Sequence, residues 1–206
     1  MRPGLIAAAL FGAAVAAAAP AHQGMTPADP EAGHDWPPGD PQAGRRLAGQ
    51  CRTCHGLDGI ARIPIAPNIG GEHAAYIAAQ LDAFRSGARE HEMMSIVARG
   101  LNDQQIADLA AWYSGFRAEA ELHADPADAP QPCASCHGAD GIAVDEMAPN
   151  LAGETAVYID TQLRAFRSGK RHSEVMGPIA EAMSDAEMRA AAEWYAATRL
   201  KVSRPD

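Results

Sequence analysis

Aromatic side chains are scarce in this chain, with four phenylalanines, three tryptophans and four tyrosines among 206 residues. With alanine abundant, that composition is ordinary for a helical soluble protein. Long apolar runs are missing beyond residue 21, which excludes a membrane span anywhere downstream. The start differs: Arg2 is positive, Leu5 to Ala19 form an apolar run, and Ala19-Pro20-Ala21 offers an A-x-A cleavage site. Residues 1–21 therefore read as a signal peptide. An uncleaved anchor is the alternative, but the run is mostly alanine and shorter than the roughly 20 residues that cross a bilayer. Export places the mature chain outside the cytoplasm, most simply in a bacterial periplasm.

Positive charge is in short supply as well. Without Arg2 the mature chain has 16 basic and 26 acidic side chains, a formal balance of −10. Residues 22–40 hold four acids and no base, residues 41–123 balance at −1, and residues 124–206 at −5. Such a chain is no candidate for nucleic acid. Its acidic second half suits either solubility or orientation toward a partner with a basic docking face.

Surplus cysteine is lacking too. All four cysteines lie in two copies of Cys-x-x-Cys, each followed at once by histidine: Cys51, Cys54 and His55, then Cys133, Cys136 and His137. An exported chain ordinarily pairs its cysteines, but disulfides have no need of that histidine. Cysteines three apart lie on one side of a helical turn, and a histidine one place later points from nearly the same face. The pattern predicts two thioether bonds to a haem, with the imidazole as its iron ligand. A zinc site is the competing reading, yet the two pairs stand far apart along the chain, in separate repeats. A thioredoxin-type dithiol would need a βαβ context, and no convincing strand appears.

The most informative feature is internal repetition. The shift that lays Cys51 on Cys133 overlays the chain on itself without a gap from the first cysteine pair to the last helix. Pro67-Asn68 falls on Pro149-Asn150, Tyr76 on Tyr158, Phe84-Arg85-Ser86-Gly87 on Phe166-Arg167-Ser168-Gly169, Met94 on Met176, and Trp112-Tyr113 on Trp194-Tyr195. Each unit, of about 80 residues, is a size at which an apolar core alone is marginal and a staple is expected. The periodicity is helical throughout. Asp40 and Pro41 open a first helix, Tyr76 to Phe84 and Tyr158 to Phe166 follow helical stripes closed by Gly87 and Gly169, and Asn102 with Gln105 and Ser184 with Glu187 form capping boxes. Residues 22–40, rich in Pro, Gly, Asp and His, read as a disordered leader. Pro126, Pro130 and Pro132 leave the second unit, 124–206, little room for the opening helix of the first, 41–123.

A sixth iron ligand must come from elsewhere in each unit. Met93 falls on Val175 but Met94 on Met176, so a ligand common to both copies is Met94 and Met176, with Met93 left to the core. The same methionines could instead be gap fillers. His73, His91, His123 and His172 read as surface or propionate-adjacent residues, since His91 and His172 share no register. Gly56 and Gly138 would spare a flat macrocycle any obstruction.

From about residue 40 to 200 these motifs resemble the cytochrome c4 family, two class I cytochrome c domains in tandem. The resemblance implies an all-α fold in which each cytochrome c-like domain wraps one covalently attached haem c. It also implies that Pro67 and Pro149, twelve residues past their histidines, accept the imidazole N–H through their carbonyls. Met94 and Met176, seven residues before the Leu-Ser-Asp-like starts of the last helices, match the family's axial methionines. Tyr76, Tyr158, Trp112 and Trp194 are its candidates for haem edge and propionates, or plain core. The function implied is electron transfer between a respiratory or dehydrogenase donor and a terminal oxidase or reductase. The alternative is the dedicated haem subunit of a periplasmic oxidoreductase such as a flavocytochrome c sulfide dehydrogenase. An enzyme is disfavoured, because a peroxidase needs an open iron and a thiosulfate-oxidising cytochrome a cysteine ligand.

Overall fold

The computed structural model describes Met1 and residues 34–205. Apart from Met1, the expected signal peptide lies outside the described residues, as does most of the leader. The first unit runs α1 (Pro41–Leu47), a 3-10 turn (Ala48–Gln50), α2 (Arg52–His55), α3 (Ala74–Ser86), α4 (Met94–Arg99) and α5 (Asp103–Ser114), then strand β1 (Arg117–Glu121). A 3-10 turn (Pro126–Asp128) leads to the second unit: α6 (Ala134–His137), α7 (Ala156–Arg167), α8 (Met176–Ala182), α9 (Asp185–Ala196) and strand β2 (Arg199–Ser203). Among the described residues no helix is long and apolar enough to cross a membrane.

The helix ends follow local chemistry. Asp40 caps α1 through Gln42 N–H with Pro41 at the opening position, and Gly87 closes α3 in the left-handed region. Both capping boxes form, Asn102 with Gln105 on α5 and Ser184 with Glu187 on α9. Replacing Ser184 by alanine is expected to cost about 1 kcal/mol, measured as a lower midpoint of thermal unfolding with haem content unchanged. In the first unit α5 packs against α1 and α3, burying Ile106, Leu109, Trp112 and Tyr113 with Ile77 and Ala78. In the second, α7 packs on α8 and α9 around Ile159, Leu163, Phe166, Met188 and Tyr195. The second unit has no counterpart of α1, as its prolines imply.

Two expectations change. Strands do occur: β1 pairs antiparallel with β2, Arg117 opposite Ser203 and Glu121 opposite Arg199, with Lys201 bonded to Glu121 at 3.0 Å. The end of the leader is ordered: Trp36 packs on the first core, Gln104 donates to the Pro38 carbonyl at 2.9 Å, and His34 approaches Asp103. Disorder over the whole of 22–40 therefore does not extend to its described end.

The strand register reveals how the units dock. Glu119 lies opposite Lys201, and Arg89 forms a β-bridge with Arg171. In each case a residue faces its own copy in the repeat, the relation an approximate twofold axis imposes. Asn68 reaches Glu154 while Asn150 reaches Glu72, which obeys the same symmetry.

Candidate haem-binding sites

Each Cys-x-x-Cys-His segment is a single helical turn. His55 N–H donates to the Cys51 carbonyl and His137 N–H to the Cys133 carbonyl, both at 3.0 Å, so cysteines and histidine emerge from one side. The turn ends at Gly56 and Gly138, whose φ of 70° and 74° suits glycine. A side chain there would also collide with the Ile60 and Ile142 carbonyls, so the backbone itself requires glycine at both positions. Tyr113 and Tyr195 donate their hydroxyls to the Gly56 and Gly138 carbonyls at 3.3 and 3.1 Å. Trp112 and Trp194 donate to Leu57 and Ala139 at 3.0 and 2.9 Å, which pins the loop after the motif.

None of the four cysteine sulfurs is in a disulfide, and all four cysteines are partly buried. Burial pushes the Cys51 thiol up to about 11, and Cys133 upward too. That is opposite to the depressed thiol of a redox dithiol. Among the described residues no cluster of three or more His, Cys, Asp or Glu is placed to hold a metal ion.

The histidines are buried, at 8% and 6% exposure. His55 Nδ1 meets the Pro67 carbonyl at 2.9 Å and His137 Nδ1 the Pro149 carbonyl at 2.8 Å. The carbonyl can only accept, so Nδ1 carries the proton and Nε2 keeps a lone pair. Burial pulls both imidazoles below the usual histidine range. They are therefore neutral, as metal ligands must be. Asn68 and Asn150 fix these loops by accepting from Ala61 and Ala143 N–H at 2.9 Å.

Met94 opens α4 and Met176 opens α8, both partly buried. Met176 and Cys133 pack on the same core cluster. Met93 is 62% exposed and its counterpart Val175 54%, so Met93 is not core as expected. His91 Nδ1 accepts the Met93 and Met94 N–H groups at 3.3 Å, and Ser173 Oγ does the same for Val175 and Met176 at 3.3 and 3.1 Å. His91 thus has a register partner after all, in Ser173. His172 is exposed, against Glu174.

Tyr76 and Tyr158 come together at the docking face, where sequence reasoning missed their neighbours. Arg171 donates to Tyr76 at 3.1 Å and Arg89 to Tyr158 at 3.4 Å, and both guanidiniums also reach Gln80 and Gln162. Each lies over its own unit's Phe84 or Phe166 ring, 4.4 Å away. Among the described residues neither has a carboxylate within ion-pair distance. Burial and Arg171 together lower the Arg89 pKa. One buried and one partly buried guanidinium, with only neutral acceptors among the described residues, call for anions, and the propionate carboxylates of haem fit. The signal was available: Arg89 and Arg171, Gln80 and Gln162, and Glu72 and Glu154 are pairs in the same register as the two haem motifs.

Comparison with known proteins agrees with this geometry. Residues 41–114 match the cytochrome c family model, and residues 129–194 the model of subunit III of cbb3-type cytochrome c oxidase. The chain is 34% identical to cytochrome c4 of Thiocapsa roseopersicina, covering 76% of this chain and 91% of that protein. It is 35% identical to the thiosulfate dehydrogenase electron acceptor of Stutzerimonas stutzeri, over 71% of this chain and 77% of that one. Reduced recombinant cytochrome c4 from Pseudomonas stutzeri superposes with a TM-score of 0.66 at 28% identity, covering 77% of this chain and 98% of that structure. Two such domains, each with its own cysteine pair, hold two covalently bound haem c groups, at Cys51/Cys54 and at Cys133/Cys136.

Proposed function

We propose, for a chain that belongs to the cytochrome c4 family of dihaem electron carriers, that it shuttles electrons in the periplasm from a dehydrogenase or quinol-oxidising complex to a terminal oxidase or reductase. The observation that carries this reading is a site made twice: a buried neutral imidazole held by a proline carbonyl, one helical turn from two thiols. In this reading His55 and His137 are the proximal iron ligands, and Met94 and Met176 the distal ones. Pro67 and Pro149 orient the imidazoles, while Tyr76 and Tyr158 stand with Arg89 and Arg171 toward the propionates. Bound haem supplies a one-electron change at iron. An imidazole and a thioether as the protein ligands would favour the reduced state relative to two imidazoles. The acidic second half supports a partner with a basic docking face.

A narrower reading of the donor is favoured by the resemblance to thiosulfate dehydrogenase electron acceptors, and makes this chain the haem partner of a dehydrogenase for reduced sulfur compounds. Stopped-flow mixing with a reduced thiosulfate dehydrogenase should reduce both haems within the dead time or shortly after. Exchange with a quinol-oxidising complex alone would leave only the general shuttle, and exchange with neither would sink both. The ligands are tested by spectroscopic redox titration: Met94→Ala should lower one of two potentials and Met176→Ala the other. Unchanged potentials would move the ligand to another residue.

A further inference from the structure

Glu72 and Glu154 are among the most deeply buried acids of the chain, 4% and 3% exposed, and neither makes an ion pair among the described residues. Both lie where the units dock, in equivalent positions, and each reaches into the other unit. Glu72 accepts the N–H of Asn150 on both carboxyl oxygens, at 3.1 and 3.0 Å, and Glu154 accepts the N–H of Asn68 at 2.7 Å. These N–H groups are not arbitrary. The Asn68 N–H belongs to the same peptide unit as the Pro67 carbonyl, which takes the proton of His55 Nδ1. The Asn150 N–H likewise shares its peptide with the Pro149 carbonyl on His137. Asn68 and Asn150 donate their side chains to the Gly153 and Gly71 carbonyls, both at 3.1 Å, which keeps each peptide presented to the opposite carboxyl.

A peptide whose N–H is engaged by an acceptor shifts electron density onto its oxygen, and hydrogen bonds in series polarise one another. An imidazole donating to that oxygen becomes a more electron-rich ligand. We propose that Glu72 and Glu154 are positioning residues for the proximal histidine of the opposite unit, each carboxyl acting through a Pro–Asn peptide to set the reduction potential of the other unit's haem. The inference rests on His55 and His137 as the iron ligands. It makes each haem's potential a property of the docked pair rather than of its own unit. Removing an acceptor weakens the proline carbonyl, leaves the imidazole poorer in electrons and destabilises ferric iron, so the potential rises.

The test uses the full dihaem protein, titrated with the two haems told apart by their hyperfine-shifted methyl resonances. Glu72→Ala should move the second haem alone toward the reduced form by about tenfold in its reduction equilibrium, 59 mV for one electron. Glu154→Ala should move the first haem alone. Glu72→Gln and Glu154→Gln, which keep an oxygen on the N–H, should return most of the shift. Should an alanine variant lose its docked structure, Glu72→Asp, with a shorter reach, should shift the same haem in the same direction by less. Movement of both haems together, of the haem in the mutated unit, or of neither in a protein that holds both, would overturn the inference while leaving the haem assignment intact. A chain that takes up no haem would overturn the assignment itself and the inference with it.

Discussion

A chain in which Cys133 and Cys136 are both alanine is expected to hold one haem instead of two, and its second unit to lose its fold while the first stays intact. The second unit has little else to stand on. Its buried apolar cluster is Ile159, Leu163, Phe166, Ala180, Met188, Ala192 and Tyr195, with no opening helix to add to it. A unit of about 80 residues with so small a core needs a staple. Without the ring, the buried polar His137 is left with the Pro149 carbonyl as its side-chain hydrogen-bond partner among the described residues. The matching Cys51→Ala, Cys54→Ala variant should lose its haem too but keep more helix, because α1 packs on α5 and Trp36 covers the same core. Haem-to-protein absorbance gives the count, and far-ultraviolet circular dichroism with limited proteolysis locates the loss. Two equivalents of haem in the second-unit variant, or an undiminished melt of its helices, would sink the claim that the cofactor is the staple.

Helices and cysteine motifs were legible because their signals are local and carried twice. A capping box occupies four residues, and the haem motif five, so neither depends on distant chain. The repeat singles out Met94 over Met93 as the methionine common to both units. It misjudged Met93 itself, since an apolar side chain opposite an apolar Val175 reads as core when both are in fact exposed. Strand β1, with the sequence Arg-Ala-Glu-Ala-Glu, alternates charge only with alanine, the smallest apolar side chain and a helix former, so it does not announce a strand. Its only reason to be extended is β2, which lies a full repeat further along the chain and pairs across the docking axis. The same holds for Arg89, Arg171, Glu72 and Glu154. Charged residues at such spacing pass for solvated surface until docking buries them, although their recurrence at the repeat distance distinguished them from ordinary charges.

The two interface carboxyls also predict how stability varies with pH. Burial pushes Glu72 up from 4.5 to about 8, partly opposed by the Asn150 N–H, and Glu154 up to about 9, with Glu72 nearby adding to the rise. Tyr76 also lies within the field of Glu72, and Arg89 and Arg171 within that of Tyr76. Both carboxyls therefore keep their protons in the docked protein at neutral pH, while in the unfolded chain they lose them near 4.5. The native state then binds more protons than the unfolded one, so stability falls as pH rises through that window. For one such group the limiting slope is about 1.4 kcal/mol per pH unit. Below pH 4.5 both states are protonated and the contribution is fully present; above about 9 the slope vanishes. The Glu72→Gln, Glu154→Gln double variant cannot ionise at these positions. Its unfolding midpoint should match that of the parent at pH 4 and exceed it by a widening margin toward pH 8, with two haems in each. A margin that stays constant across this range would mean that the carboxyls ionise as easily at the docking face as in the unfolded chain. A margin that reversed sign would mean that the docked protein holds both groups as carboxylates, and a neutral pair of carboxyls at the docking face would not exist.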